Sequence, residues 1–244
     1  MINVWWILKR ELAYYLRSPM GYVILAVALF LNGLLFNVWA IGTQSRTSGQ
    51  VLTEFFLHTG GVIMAASVFV TMRLIAEERQ NGTLILLLTS PVSERQLVLG
   101  KFFGAFLFVA LLALLTFYMP LLLVINGKVS WGHVGAGYLG VLLIASSSVA
   151  LGLLCSALAP NQLVAAVSTA AIFVAFVLFW LLSRLAEPPE SDMIRYLSIF
   201  DAHFRPFQRG LLTVKDVVFY LMLTYAALLV STRVIEARRW SSAS

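Results

Sequence analysis

Charge is scarce in this sequence. Asp, Glu, Lys and Arg together make up 11% of its 244 residues, against roughly 25% in a soluble globular domain. Hydrophobic residues make up 60% and mean hydropathy is +0.90, more apolar surface than a soluble core of this length can hide. Cysteine is scarcer still. Cys155 stands alone inside an apolar block, which excludes a disulfide framework and a cysteine-based metal site. His58, His133 and His203 are scattered singly, with no spacing for haem or metal ligation; they are expected in loops or near span ends. No G-x-x-x-x-G-K-[ST] occurs. Its nearest approach, Gly100-Lys101, continues with Phe102, so nothing cradles a nucleotide phosphate. Without a nucleophile–base set either, the chain reads as no enzyme by itself, with no catalytic, cofactor-binding or metal residues.

What is abundant is long apolar runs. A hydrocarbon core about 30 Å thick takes about 20 residues of helix to cross, and six blocks qualify: about 21–41, 55–75, 102–125, 134–158, 163–185 and 217–234. The predicted fold is an all-α integral membrane protein forming one transmembrane domain over 1–244. The first block follows Lys9-Arg10 and Arg17 and runs past any plausible cleavage site, so it is expected to be an uncleaved anchor. Ahead of it, residues 3–18 mix Trp5, Tyr15 and aliphatic side chains with Lys9, Arg10 and Glu11 before Ser18-Pro19. That stretch is too short and too charged to span, and its composition predicts a helix lying in the interface.

The formal charge is +6, but the basic residues flank apolar spans and form no single soluble face, which points to membrane lipid and away from nucleic acid. Ten of the 17 Lys and Arg fall on the side holding both termini, and five of the other seven lie in one long loop region. This bias predicts cytoplasmic termini. Few ionisable groups fall within the blocks, so no internal ion relay is expected. Asn32 and Asn37 are the large polar side chains of the first block, expected to hydrogen-bond to a neighbouring helix. Small residues line up at Ser148-x-x-x-Gly152-x-x-x-Ser156 and Gly100-x-x-x-Gly104, a pattern that lets helices approach closely.

The most informative polar stretch is 77–100. Glu77, Glu78 and Arg79 follow the second span directly, Asn81-Gly82 is a turn signal, and Thr83–Thr89 is a short run stopped by Ser90-Pro91. Residues alone leave it either a docking knob for a soluble partner or a plain connecting loop. The pattern E-E-R-x-x-G-T-L-x-x-L-L-x-S-P-V-S over 77–93, with Leu99-Gly100-Lys101 at the next span, closely resembles the signature of ABC type-2 exporter permeases. The likeness covers essentially the whole chain. Arg10-Glu11-Leu12 with Tyr15 and Ser18-Pro19 is similar to the family's interfacial elbow helix. Phe200-Asp201-x-His203-Phe204-x-x-Phe207-x-x-Gly210 and Arg238-Arg239-Trp240 resemble the gliding-motility-associated subgroup, with a looser likeness to permeases of copper-enzyme maturation.

The resemblance implies a type-2 exporter fold in a bacterial inner membrane, working as the membrane half of an ATP-driven exporter. ATP and Mg would bind on a separate cytosolic ABC ATPase, and a second permease subunit would complete a homodimer. It implies that Glu77, Glu78, Arg79, Gly82, Thr83 and Leu84 couple the chain to that ATPase. Ile85 stands where the family commonly has Glu. Region 187–216 would be extracytoplasmic, with Phe200, Phe204 and Phe207 about one helical turn apart, as in a half-inserted helix. The alternative is a non-transporting anchor or scaffold of a motility or envelope complex.

Overall fold

A computed structural model describes residues 2–41, 47–83, 92–126, 130–185 and 199–241. Six helical stretches are long and apolar enough to cross a membrane: Pro19–Trp39, Ser48–Gln80, Glu94–Ile125, Trp131–Leu158, Gln162–Phe179 and Val214–Arg239. Most exceed the apolar blocks of the sequence, because helices continue into flanking polar residues as far as caps and backbone hydrogen bonds carry them.

Helix α1 (Ile2–Arg17) ends at Ser18, whose hydroxyl accepts from Gly21 N at 3.2 Å and caps α2 (Pro19–Leu35). Pro19 costs nothing in the first turn, where its missing N–H would be unpaired anyway. Gly21 is dictated by the corner: a Cβ there would lie 1.8 Å from Tyr15 O. A π-helical turn, Phe36–Ile41, closes α2. Helix α3 (Ser48–Thr71) loses its regular ladder over 72–75 and resumes as α4 (Ala76–Gln80). Next come α5 (Glu94–Leu115), opened by a Ser93–Gln96 capping box, and α6 (Tyr118–Asn126). Helices α7 (Trp131–Leu158) and α8 (Gln162–Leu185) follow. After a second π-helical turn, Ile199–Phe204, the short α9 (Arg205–Gln208) leads to α10 (Val214–Ser241).

Helix α7 sits at the centre, packed by α10, α3, α5 and α8. Its small residues make this position sterically accessible. A Cβ on Gly152 would meet Thr71 Oγ1 at 2.1 Å, so the Thr71 side chain of α3 packs into the notch that Gly152 leaves in the Ser148–Ser156 stripe of α7. Ser156 also resolves the break after α3. Its hydroxyl accepts from Ile75 N and Ala76 N, each at 3.0 Å, and donates to Met72 O, supplying the partners that buried backbone groups require. Asn32 accepts from Thr59 Oγ1 at 3.0 Å, tying α2 to α3. Asn37 instead faces outward in a shallow groove with Phe30 and Tyr118.

Both ends of the bundle are organised by polar contacts. The end carrying α1, α4 and the close of α10 is termed proximal. At the distal end, Phe204 and Phe207 are fully buried, and a Cβ on Gly60 or Gly140 would lie 2.9 Å from Phe204 or 2.6 Å from Phe207. Phe204 and Phe207 are therefore planted between α3 and α7. His203 Nδ1 lies 2.8 Å from Asp216 Oδ1 on α10, and His133 Nε2 lies 2.6 Å from Gln208 O. His58 lies in the first half of α3, its Nδ1 2.7 Å from Glu54 O, where a helix carbonyl satisfies a ring nitrogen.

Candidate functional site

The first element of the site is α1. Its Val4, Ile7, Leu8 and Glu11 side lies on α5, where glycine removes the obstacle: a Cβ on Gly100 would meet Ile7 Cβ at 2.7 Å, and one on Gly104 would meet Glu11 Cβ at 2.6 Å. Asn3 Nδ2 donates to Gln96 at 3.2 Å. The opposite side exposes Trp5, Trp6 and Tyr14, with Lys9 Nζ 4.9 Å from the Trp5 ring centre. Tyr15 turns inward, stacks on Phe108 at 4.8 Å and donates to Val70 O at 2.7 Å. Burial holds its phenol well above the usual tyrosine range, so it stays a neutral donor.

The close α1–α5 approach brings charges together. Lys101 is 2% exposed, and its ammonium donates to Glu11 Oε1 at 2.9 Å and Glu78 Oε1 at 2.8 Å. Arg10 Nη2 lies 3.5 Å from both carboxylates, so two cations balance two anions. One ammonium thereby joins α1, α4 and α5. Burial pushes the Glu11 carboxyl up, but Lys101, with Arg10 and Arg73, outweighs it and holds the carboxyl below its ordinary value. The sequence reading placed Lys101 at the edge of a span. The structure places it well inside α5, buried, because α1 covers that edge.

A second contact set fixes the end of α3. The Arg73 guanidinium lies 3.2 Å from the Tyr14 ring centre and donates to Glu77 Oε2 at 2.8 Å, a cation–π contact closed by an ion pair. Arg79 Nη1 donates to Ala159 O at 3.0 Å, and Gln80 Oε1 accepts from Gln162 N at 3.4 Å. Segment 73–80 is thus fastened to α1 and α5 on one flank and to the α7–α8 corner on the other.

The residues read as one coupling set therefore divide. Glu77 and Glu78 turn into the ion network, and Arg79 reaches the neighbouring corner from an exposed position. Gly82 and Thr83 stand exposed at the tip, beside Asn81. Gly82 has φ +71°, a left-handed conformation that favours glycine in this turn. Leu84 lies outside the described residues, as does Ile85. Of the interfacial residues, Trp5 and Lys9 face outward, Arg10 and Glu11 enter the network, and Tyr15 is core. Phe204 and Phe207 come together at the distal end; the side chain of Phe200 lies outside the described residues. Sequence reasoning missed Lys101, Arg73 and Ser156 as organising residues. The available signal for Lys101 was its place one residue after Gly100 and three before Gly104, on the helix flank beside the face that those glycines open to a partner.

Six helices long and apolar enough to cross a membrane, with a charged helix laid across their proximal end, define a polytopic membrane protein. Comparison with known proteins places it further: the family described as ABC-2 family transporter protein matches residues 34–208, and the chain belongs to that family. It is similar to the probable ABC transporter permease protein NosY of Pseudomonas aeruginosa, 35% identical over 117 residues, covering 47% of this chain and 42% of that protein. The protein of the same description from Stutzerimonas stutzeri is 35% identical over 129 residues, 48% of this chain and 44% of its own length. The matched region thus spans less than half of either curated relative.

Proposed function

We propose that this chain is the permease subunit of an ATP-driven exporter, coupled to a separate cytosolic ABC ATPase through residues 77–84. An ABC ATPase is the general partner of the family to which the chain belongs. The proximal end would face the cytoplasm of a bacterial inner membrane, and two permease subunits would form the transport unit.

The observation that carries this reading is the Lys101 junction. A push on the exposed tip around Gly82 would reach α4, then α1 and α5 through the buried ammonium, and α7 and α8 through Arg79 and Ser156. A segment tied on both flanks moves several elements as one body, which a loosely attached loop does not. ATP and Mg would act on the partner, and this chain would supply no catalytic group.

Gentle purification of the tagged chain from native membranes, followed by identification of associated proteins, tests the proposal. A stoichiometric ATPase is expected with the native chain, and its loss is expected with Thr83→Arg at the tip, expression being equal. A preparation lacking any nucleotide-binding subunit under mild crosslinking would overturn the coupling. An ATPase that stays bound while no ATP-dependent movement of lipid, glycolipid or peptide occurs in reconstituted vesicles would favour a scaffold over an exporter.

A further inference from the structure

A groove of about 280 Å³ runs between α5 and α10 at the proximal end, lined by Val98 and Leu99 on one side and Tyr225, Leu228 and Leu229 on the other. Arg95 and Arg233 flank its mouth with Glu236. Along α10 the lining extends from Tyr225 to Glu236, about 16 Å at 1.5 Å per residue. From Arg233 at the mouth inward to Tyr225 the lining runs about 12 Å, most of one leaflet of a 30 Å hydrocarbon core. The geometry points to a binding site for one anionic phospholipid, with its phosphate on Arg95 and Arg233 and an acyl chain along Leu99, Leu229 and Tyr225.

The charge around the mouth fits that occupant. Neighbouring Glu94 is engaged by Arg239, whereas Arg95 makes no hydrogen bond or ion pair among the described residues. Arg233 donates one nitrogen to Glu236 at 3.0 Å, an exposed pair. A guanidinium has five N–H donors, so that contact leaves others for a phosphate. Two cations against one carboxylate leave the mouth net positive. Thr232 donates its hydroxyl to Leu228 O at 2.8 Å, so it does not make the groove wall polar. A soluble anion would use the mouth alone; the apolar trough behind it gives a reason for an attached chain. This site is independent of the ATPase-docking reading, since it lies between two spans and asks nothing of a nucleotide.

The test titrates the detergent-purified full chain with phosphatidylglycerol and counts bound lipid by native mass spectrometry. Phosphatidylcholine and inorganic phosphate serve as competitors. The expected result is saturable phosphatidylglycerol binding that falls about tenfold or more in Arg95→Ala/Arg233→Ala, as for loss of paired charge-assisted contacts. Arg209→Ala at the distal end should leave it unchanged. Leu229→Trp, which keeps both arginines and fills the trough, should also abolish it, and thermal melts of each variant show whether the chain is folded. Undiminished binding in the folded double arginine variant would overturn the proposal, as would equal competition by phosphatidylcholine. Displacement by inorganic phosphate at the same concentration would replace it with a simple anion site.

Discussion

Lys101 shows how one residue changes character when its surroundings close over it. An ammonium buried between two carboxylates is favourable only while both partners remain, because each ion has lost its water. Lys101→Met should therefore lower stability by about 3–5 kcal/mol, the cost of leaving buried charge uncompensated. Adding Glu11→Gln and Glu78→Gln to that variant should recover part of the loss, and thermal unfolding in detergent reads both. The same network predicts a pH effect. The Glu11 carboxyl is held below its ordinary value of 4.5 by Lys101, Arg10 and Arg73, against the opposing effect of burial. Its contribution is thus present above that value and fades as pH falls through the depressed one. Glu11→Gln should flatten the acid limb of the stability profile below about pH 4.5, where the native protein declines, with little change in its shape near neutrality. An unchanged acid limb in the variant would mean that other carboxylates carry the decline.

Between helices, the decisive chemistry is the absence of side chains. The spans themselves were legible in the sequence, because 20-residue apolar runs have few alternative readings. The Ser18-Pro19 boundary was legible too, since a capping hydroxyl and a proline at the first helical position act locally. What could not be read was which helix each small-residue face receives: Gly100 and Gly104 announce a close approach without naming α1 as the visitor. The ion network was hidden for the same reason, since Glu11, Glu78 and Lys101 are distant in sequence and meet only when α1 lies down. Gly104→Leu tests this seating. A side chain there must displace Glu11 and Leu8 O, and overpacking of this kind costs about 1–3 kcal/mol. Trypsin cleavage after Lys9 and Arg10 should accelerate roughly tenfold as α1 lifts away. A cleavage rate equal to that of the native chain would show that α1 is held by contacts other than the α5 face.

At the scale of the whole molecule, the two ends are held by different means. The proximal end is bound by charge, through Lys101, Arg73 and Arg239. The distal end is plugged by aromatic side chains, Phe204 and Phe207, and closed by His203 with Asp216. On the coupling proposed above, the charged end would be the driven face and the aromatic plug would lie on the far one. The difference between the ends also makes orientation testable from single positions. Cys155 is buried in α7 and can be replaced by serine to leave a background without thiols. A cysteine at exposed Thr83 or exposed Arg209 then reports one face each. Cytoplasmic termini require that a membrane-impermeant maleimide label Arg209→Cys in spheroplasts and reach Thr83→Cys only after permeabilisation. The reverse pattern would put the charged junction outside, beyond any cytosolic ATPase. The five basic residues of the long loop region would then have outweighed the clusters near the termini in setting topology. Labelling of both positions in sealed spheroplasts would mean that the chain inserts in two orientations, a result to which the narrow margin of basic residues between its two sides makes it open.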